Sequence, residues 1–84
     1  MNQSEFNKEQ IFQNLLKQAK EKELGFRFIL EEFKRYKWNL NLKQATILAN
    51  ELDQPIDSIL YYALDLNILN VDSKIKKALL KNKV

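Results

Sequence analysis

The stretch of sequence that decides the fold is residues 48–69, LANELDQPIDSILYYALDLNIL. Apolar residues recur at three- and four-residue intervals on both sides of Pro55, a spacing that is typical of amphipathic helices. Because Pro55 has no N–H to donate to a helical ladder, it separates two helices. We predict one helix over Leu42–Leu52 and another over Ile56–Asn67, joined by the short turn Asp53-Gln54-Pro55.

Two further helices are predicted before this unit. Asn7 with Gln10 fits a capping box at the start of the first helix, and Gly25 fits the residue just past its end near Leu24. A second helix is predicted over Phe26–Lys37. The alternative is that Gly25 is only a weak point in one long helix. The inward face of the second helix is predicted to carry Phe26, Ile29, Leu30, Phe33 and Tyr36.

Capping signals also mark the third helix and a fifth, C-terminal one. Asn41 with Gln44 repeats the capping box, and Asp72 or Ser73 is predicted to cap the last helix. One Gly and one Pro in 84 residues leave few positions for tight β-hairpins. We therefore predict an all-α fold in a single domain over residues 1–84, a compact bundle of four or five short helices. The last helix is predicted to point Ile75, Ala78 and Leu79 inward.

The composition argues against several classes of function. The chain has no Cys and no His, so zinc sites built on thiolates or imidazoles, disulfides and thiol or imidazole catalysis are excluded. No phosphate-binding glycine loop or nucleophile motif is present. We expect no enzyme activity, cofactor, metal or small-molecule substrate. No apolar run is long enough to span a bilayer, so we expect no transmembrane segment and a cytoplasmic location.

Residues 48–69 resemble the core of the helix-turn-helix and winged-helix superfamily. Ala49 takes the place of the small residue in the first helix, Leu52 follows three residues later, and Ile59 takes the place of the β-branched residue in the second helix. Asp53 and Gln54 depart from the family pattern, which usually has Gly and then an apolar residue in the turn. No β-hairpin wing follows. The resemblance implies DNA binding, with residues 56–67 as the recognition helix.

The outward residues of the fourth helix favour a protein partner instead. With the apolar face buried, the outward side carries two carboxylates and no cation, whereas base readout and phosphate contacts rely on Arg, Lys, Asn or Gln. Tyrosines flanked by acidic residues suit an interface with a basic protein. We predict a small non-enzymatic regulatory or adaptor module. Its predicted partner-binding residues are Asp57, Tyr61, Tyr62, Asp65 and, on the second helix, Phe28.

The alternative prediction is a DNA-binding transcriptional regulator of the helix-turn-helix type. Its phosphate contacts would have to come from cations outside the fourth helix. A homodimer would suit this alternative, because one small module gives limited sequence specificity. The candidate nucleic-acid-binding residues are Arg27, Lys34, Arg35, Lys37, Lys43, Lys74, Lys77 and Lys81.

Overall fold

The computed structural model describes the backbone of residues 3–82 and the side chains of residues 8–82. Within this range the chain forms α-helices and no β-strand, so the predicted all-α fold is confirmed. The first two helices are separate, with a break at residues 23–24, and do not form one long rod. The helices are α1 (Gln3–Lys22), α2 (Gly25–Arg35), α3 (Leu42–Glu51), α4 (Ile56–Asp65) and α5 (Ser73–Asn82).

Three of the predicted helix starts are confirmed. The Asn41 Oδ1 accepts a hydrogen bond from the Gln44 N–H at 2.8 Å, and the Gln44 Oε1 accepts one from the Asn41 N–H at 3.0 Å, which completes the capping box of α3. The Asp72 Oδ1 accepts from the Lys74 N–H at 2.7 Å and caps α5. Pro55 directly precedes α4. The Asn41 and Asp72 side chains thus satisfy backbone donors that a helix leaves without partners at its first turn, whereas Pro55 makes no such bond.

The predicted start of α1 at Asn7 is wrong. The helix already begins at Gln3. None of residues 3–6 is Gly or Pro, so nothing stops the helix from extending past the capping signal toward the N-terminus.

Helices α1 to α4 all end in the same way, with a non-glycine residue in the left-handed region. These residues are Glu23 (φ 55°), Lys37 (φ 61°), Asp53 (φ 52°) and Asn67 (φ 62°). The N–H of each following residue bonds a carbonyl five positions back, at 2.9–3.1 Å, as in a Schellman motif. The predicted role of Gly25 is therefore wrong: Glu23 ends α1, and Gly25 begins α2 with a φ of 78°.

One core runs through the molecule. Helix α1 packs on α2, α3 packs on α4, and α2 packs on α4. Helix α5 contributes Leu79, whereas Ala78 is exposed, contrary to the prediction. The largest fully buried side chains are Phe12, Phe33, Ile29, Leu30, Leu40, Leu48 and Ile59.

Two connectors are tied together beside this core. The Leu40 N–H donates to the Ile68 carbonyl at 2.7 Å, and the Asn70 N–H donates to the Leu40 carbonyl at 2.8 Å. These bonds form an isolated parallel bridge between Leu40 and Leu69. The side chains of Leu40, Ile68 and Leu69 are also buried. The bridge and this burial together hold the connector after α2 in place.

The inward face of α2 differs from the prediction at its last residue. Ile29, Leu30 and Phe33 are buried as predicted. Tyr36, in contrast, is 47% exposed and stacks on Trp38. It lies beyond the last residue of α2, Arg35, and Lys37 then adopts a left-handed φ. The turn at Lys37 brings Trp38, in place of a further helical turn, against the Tyr36 ring, which stays at the surface.

Candidate partner-binding surfaces

The outer side of α4 carries the four residues that the sequence pattern predicts to bind a protein. Asp57 and Asp65 are exposed, and Tyr61 and Tyr62 between them are half-buried. We call these four residues the acidic aromatic face. Asp57 stands in the first turn of α4, where the helix dipole favours a carboxylate. The helix contains no Lys or Arg.

The start of α2 packs against this face. The Phe26 and Tyr62 rings meet edge to face, with centroids 5.9 Å apart and an interplanar angle of 72°. The Arg27 guanidinium lies over the Tyr62 ring, 5.3 Å from its centroid. Two α2 side chains therefore hold Tyr62 in place. Gln54 and Ser58 complete the lining of an open cleft of about 500 Å³ between the two helices.

Phe28 lies apart from this cleft. Its side chain is half-buried and packs against the core, although the helical spacing places it toward the polar side of α2. Much of its apolar surface is therefore covered within the molecule, and its predicted role as an anchor for a partner stays a prediction.

The predicted nucleic-acid-binding cations are not gathered on one surface. Arg27 contacts Tyr62 at the start of α2, about 10 Å along the helix axis from Lys34. Lys43 is exposed in the first turn of α3, and Lys74, Lys77 and Lys81 are exposed on α5. Lys34, Arg35 and Lys37 lie at the end of α2, whereas Lys74, Lys77 and Lys81 follow one another at three- and four-residue spacing on one side of α5.

The end of α2 carries a second aromatic pair that the sequence analysis missed. The Tyr36 and Trp38 rings are stacked, with centroids 4.8 Å apart and an interplanar angle of 23°. The Arg35 guanidinium lies 5.5 Å from the Tyr36 centroid, and the Lys8 Nζ of α1 lies 5.9 Å from the Trp38 centroid. We call Lys8, Lys34, Arg35, Tyr36, Lys37 and Trp38 the basic aromatic face. The alternation Arg35-Tyr36-Lys37-Trp38 is the signal that could have revealed it.

Two clefts flank Trp38. The first is lined by Lys8, Phe33, Trp38, Asn39 and Gln44 and encloses about 200 Å³. The second, of about 300 Å³, is lined by Lys34, Lys37, Trp38, Asn39, Asn67 and Ile68. Each cleft thus combines lysine with side-chain amides beside an indole ring.

Lys34 also links α2 to α4. Its Nζ donates a hydrogen bond to the Leu66 carbonyl at 2.8 Å. Leu66 immediately follows α4, so the ammonium lies at the negative end of the helix dipole. Elsewhere, Arg35 and Glu32 form a loose ion pair at 3.6 Å, and Lys20 of α1 pairs with Glu51 of α3 at 3.0 Å.

The described part of the chain contains neither a metal-binding cluster nor a helix suited to cross a membrane. No group of three or more acidic, His or Cys side chains there is arranged to hold a metal ion. No helix in that range combines the length and the apolar character that crossing a membrane requires.

Comparison with protein-family models, with curated proteins and with solved structures gives no match to this chain. The surfaces described above are therefore interpreted from their own geometry and charge.

Proposed function

We propose that this protein is a small, non-enzymatic regulatory or adaptor module that binds a basic protein through the acidic aromatic face. The observation that carries the proposal is the placement of Tyr61 and Tyr62 between exposed Asp57 and Asp65, beside an open cleft. Aromatic side chains are enriched at the energetic centres of interfaces, and flanking charges select and steer the partner.

The anchoring of Tyr62 supports this interpretation. Because Phe26 and Arg27 already contact its ring, the ring has less rotamer freedom to lose when a partner binds. Ordering a flexible side chain at an interface costs roughly 0.5–1.5 kcal/mol. A ring held in advance avoids part of that cost and offers a rigid contact area.

Partner capture tests the proposal. A photo-crosslinking amino acid at Ser58, inside the cleft, should capture a partner in cell extract, whereas the same group at exposed Gln18 on α1 should not. The double variant Tyr61→Ala/Asp65→Ala should abolish capture from Ser58 while circular dichroism shows an intact fold. The matched control is Glu31→Ala/Tyr36→Ala, which removes an exposed carboxylate and a tyrosine elsewhere. Capture that survives the first double variant would refute the proposal.

A helix-turn-helix DNA-binding regulator, as a monomer or a homodimer, is the second candidate function. One observation favours it: Asp53 has a φ of 52°, a conformation suited to the glycine that the resembled family usually has there. The carboxylates on α4 oppose it, because they repel phosphates and release no counterions.

Fluorescence anisotropy of labelled duplex DNA separates the two functions. Our proposal predicts little binding to mixed-sequence duplex even at low salt. Duplex binding that weakens steeply with salt, and that is lost on replacing Lys43 or the α5 lysines, would favour the DNA-binding regulator.

A further inference from the structure

We infer that the basic aromatic face is a binding site for single-stranded nucleic acid, distinct from the acidic aromatic face and independent of its proposed function. Proteins that bind single strands combine cations along the backbone path with aromatic rings on which bases stack. Tyr36 and Trp38 supply the rings, and Lys8, Lys34, Arg35 and Lys37 supply the cations.

The charge around the ring pair suits a phosphate backbone. Residues 33–50 contain four cations and no carboxylate, with the nearest acidic residues in sequence at Glu32 and Glu51. Lys34, Arg35 and Lys37 fall within this run, close to the rings, and Lys8 joins them from α1. A polyanion approaching the ring pair therefore meets cations from two helices.

The outer side of Tyr36 can be opened to a base. Arg35 lies over that ring, yet its side chain is 71% exposed and its ion pair with Glu32 is as long as 3.6 Å. An incoming base can displace the guanidinium from the ring, and the displaced guanidinium can contact the adjacent phosphate. The Arg35 cation thus stays in the complex, while the base takes its place over the Tyr36 ring.

The clefts beside Trp38 favour a nucleic acid over an acidic peptide. Asn39 borders both clefts, Gln44 borders one, and Asn67 borders the other. Side-chain amides both donate and accept hydrogen bonds, so they suit the edges of unpaired bases better than a carboxylate, which only accepts. A duplex keeps its bases stacked inside, so only a single strand can place a base on these rings.

Trp38 provides a direct readout, because it is the only tryptophan in the chain. The probe is an oligodeoxythymidylate of about twelve nucleotides, within the range that small single-strand-binding domains cover. Titration at low salt should quench the Trp38 emission, since a neighbouring base that enters a cleft lined by Trp38 contacts the fluorophore directly. With about three phosphates neutralised, the logarithm of the affinity should fall with a slope near −2 against the logarithm of the salt concentration.

Tyrosine variants separate base stacking from simple charge attraction. Tyr36→Ala should weaken binding about tenfold, in keeping with the contribution of one stacked base. Tyr36→Phe should restore the affinity, and Tyr61→Ala on the other face should leave it unchanged. Circular dichroism of each variant confirms that the fold is retained.

Four results would overturn the inference. The first is no quenching at low salt, and the second is binding that Tyr36→Ala leaves unaltered. The third is tighter binding of duplex than of single-stranded DNA. The fourth is equal quenching by polyglutamate at matched charge, which would assign the face to acidic polypeptides.

Discussion

The two aromatic faces of this protein use similar rings in opposite electrostatic settings. On α4, half-buried tyrosines lie between two exposed carboxylates. At the end of α2, Tyr36 and Trp38 are surrounded by lysines and an arginine. Rings supply contact area to nearly any partner, whereas the neighbouring charges repel one class of partner and attract another. The charges, more than the rings, therefore determine which class of partner each face can bind.

The two faces also differ in how their rings are anchored. Trp38 contacts Phe33, which is only 2% exposed, with centroids 5.7 Å apart and an interplanar angle of 88°. Phe33 in turn meets Phe12 of α1 edge to face at 5.8 Å. Tyr62, in contrast, rests on Phe26, which is itself half-buried. The basic aromatic face is therefore built on the core, and the acidic one on its margin.

The largest expected effect tests this difference in anchoring. Phe33→Ala should lower the free energy of unfolding by about 3–5 kcal/mol, since it removes a buried ring and leaves a cavity. Phe26→Ala should lower it by about 1–2 kcal/mol, because only part of that ring is buried. Urea denaturation followed by circular dichroism measures both. Equal losses of stability would show that the two faces are anchored alike. Phe33→Leu serves as a milder variant that keeps the fold.

The connector that carries Trp38 depends on the capping box at its far end. Asn41→Ala should lower the free energy of unfolding by about 1 kcal/mol, because the Gln44 N–H loses its acceptor. Asn41→Ser should retain most of the stability, since Ser is a comparable cap. Trp38 emission during denaturation reports on the connector directly. A stability loss from Asn41→Ser as large as that from Asn41→Ala would contradict the role of the cap.

Much of the fold could be predicted from the sequence because it depends on local signals. Pro55, the Asn41–Gln44 pair and Asp72 act within a few residues of where they stand, and each marks a helix start as predicted. The Asn7 signal failed because a capping residue does not end a helix when good helical residues precede it. Gly25 failed for a related reason: the residue just past a helix must follow its last turn directly, and Glu23 occupies that position despite its side chain.

The candidate surfaces were harder to predict because they depend on contacts between distant segments. The helical spacing placed Tyr36 in the core, whereas it is exposed, and the left-handed turn at Lys37 brings Trp38 back to stack on its ring. The contribution of Lys8 required the packing of α1 near the connector. The acidic aromatic face could be predicted from the sequence, because all four of its residues lie on the outward side of one helix. The contacts of Phe26 and Arg27 with Tyr62 could not be predicted, because they depend on how α2 packs against α4.

Glycine substitutions at the residues with left-handed φ beside the two faces should have a smaller effect on stability. Lys37→Gly should raise the free energy of unfolding by about 0.5–1 kcal/mol, and Asp53→Gly should raise it by less, since the short polar side chain of Asp tolerates this conformation. Relief of the left-handed conformation, worth roughly 1–2 kcal/mol, exceeds the added entropy of the unfolded chain, roughly 0.4–1 kcal/mol. Asn67→Gly is the control and should change stability less, since Asn tolerates this conformation. Only Lys37→Gly should also weaken binding of the oligodeoxythymidylate, because it alone removes a cation from the basic aromatic face.

The smallest expected effect concerns lysines at opposite ends of helix dipoles. Lys34→Met should lower the free energy of unfolding by about 0.3–1 kcal/mol, because the ammonium at the end of α4 is lost while the aliphatic stem remains. Lys43→Met should raise it by a few tenths of a kcal/mol, since a cation in the first turn of α3 opposes the dipole there. Both changes should shrink in high salt. If both variants shifted stability in the same direction, net charge rather than position would govern the effect, and Lys34 would be a ligand-binding cation with no structural role.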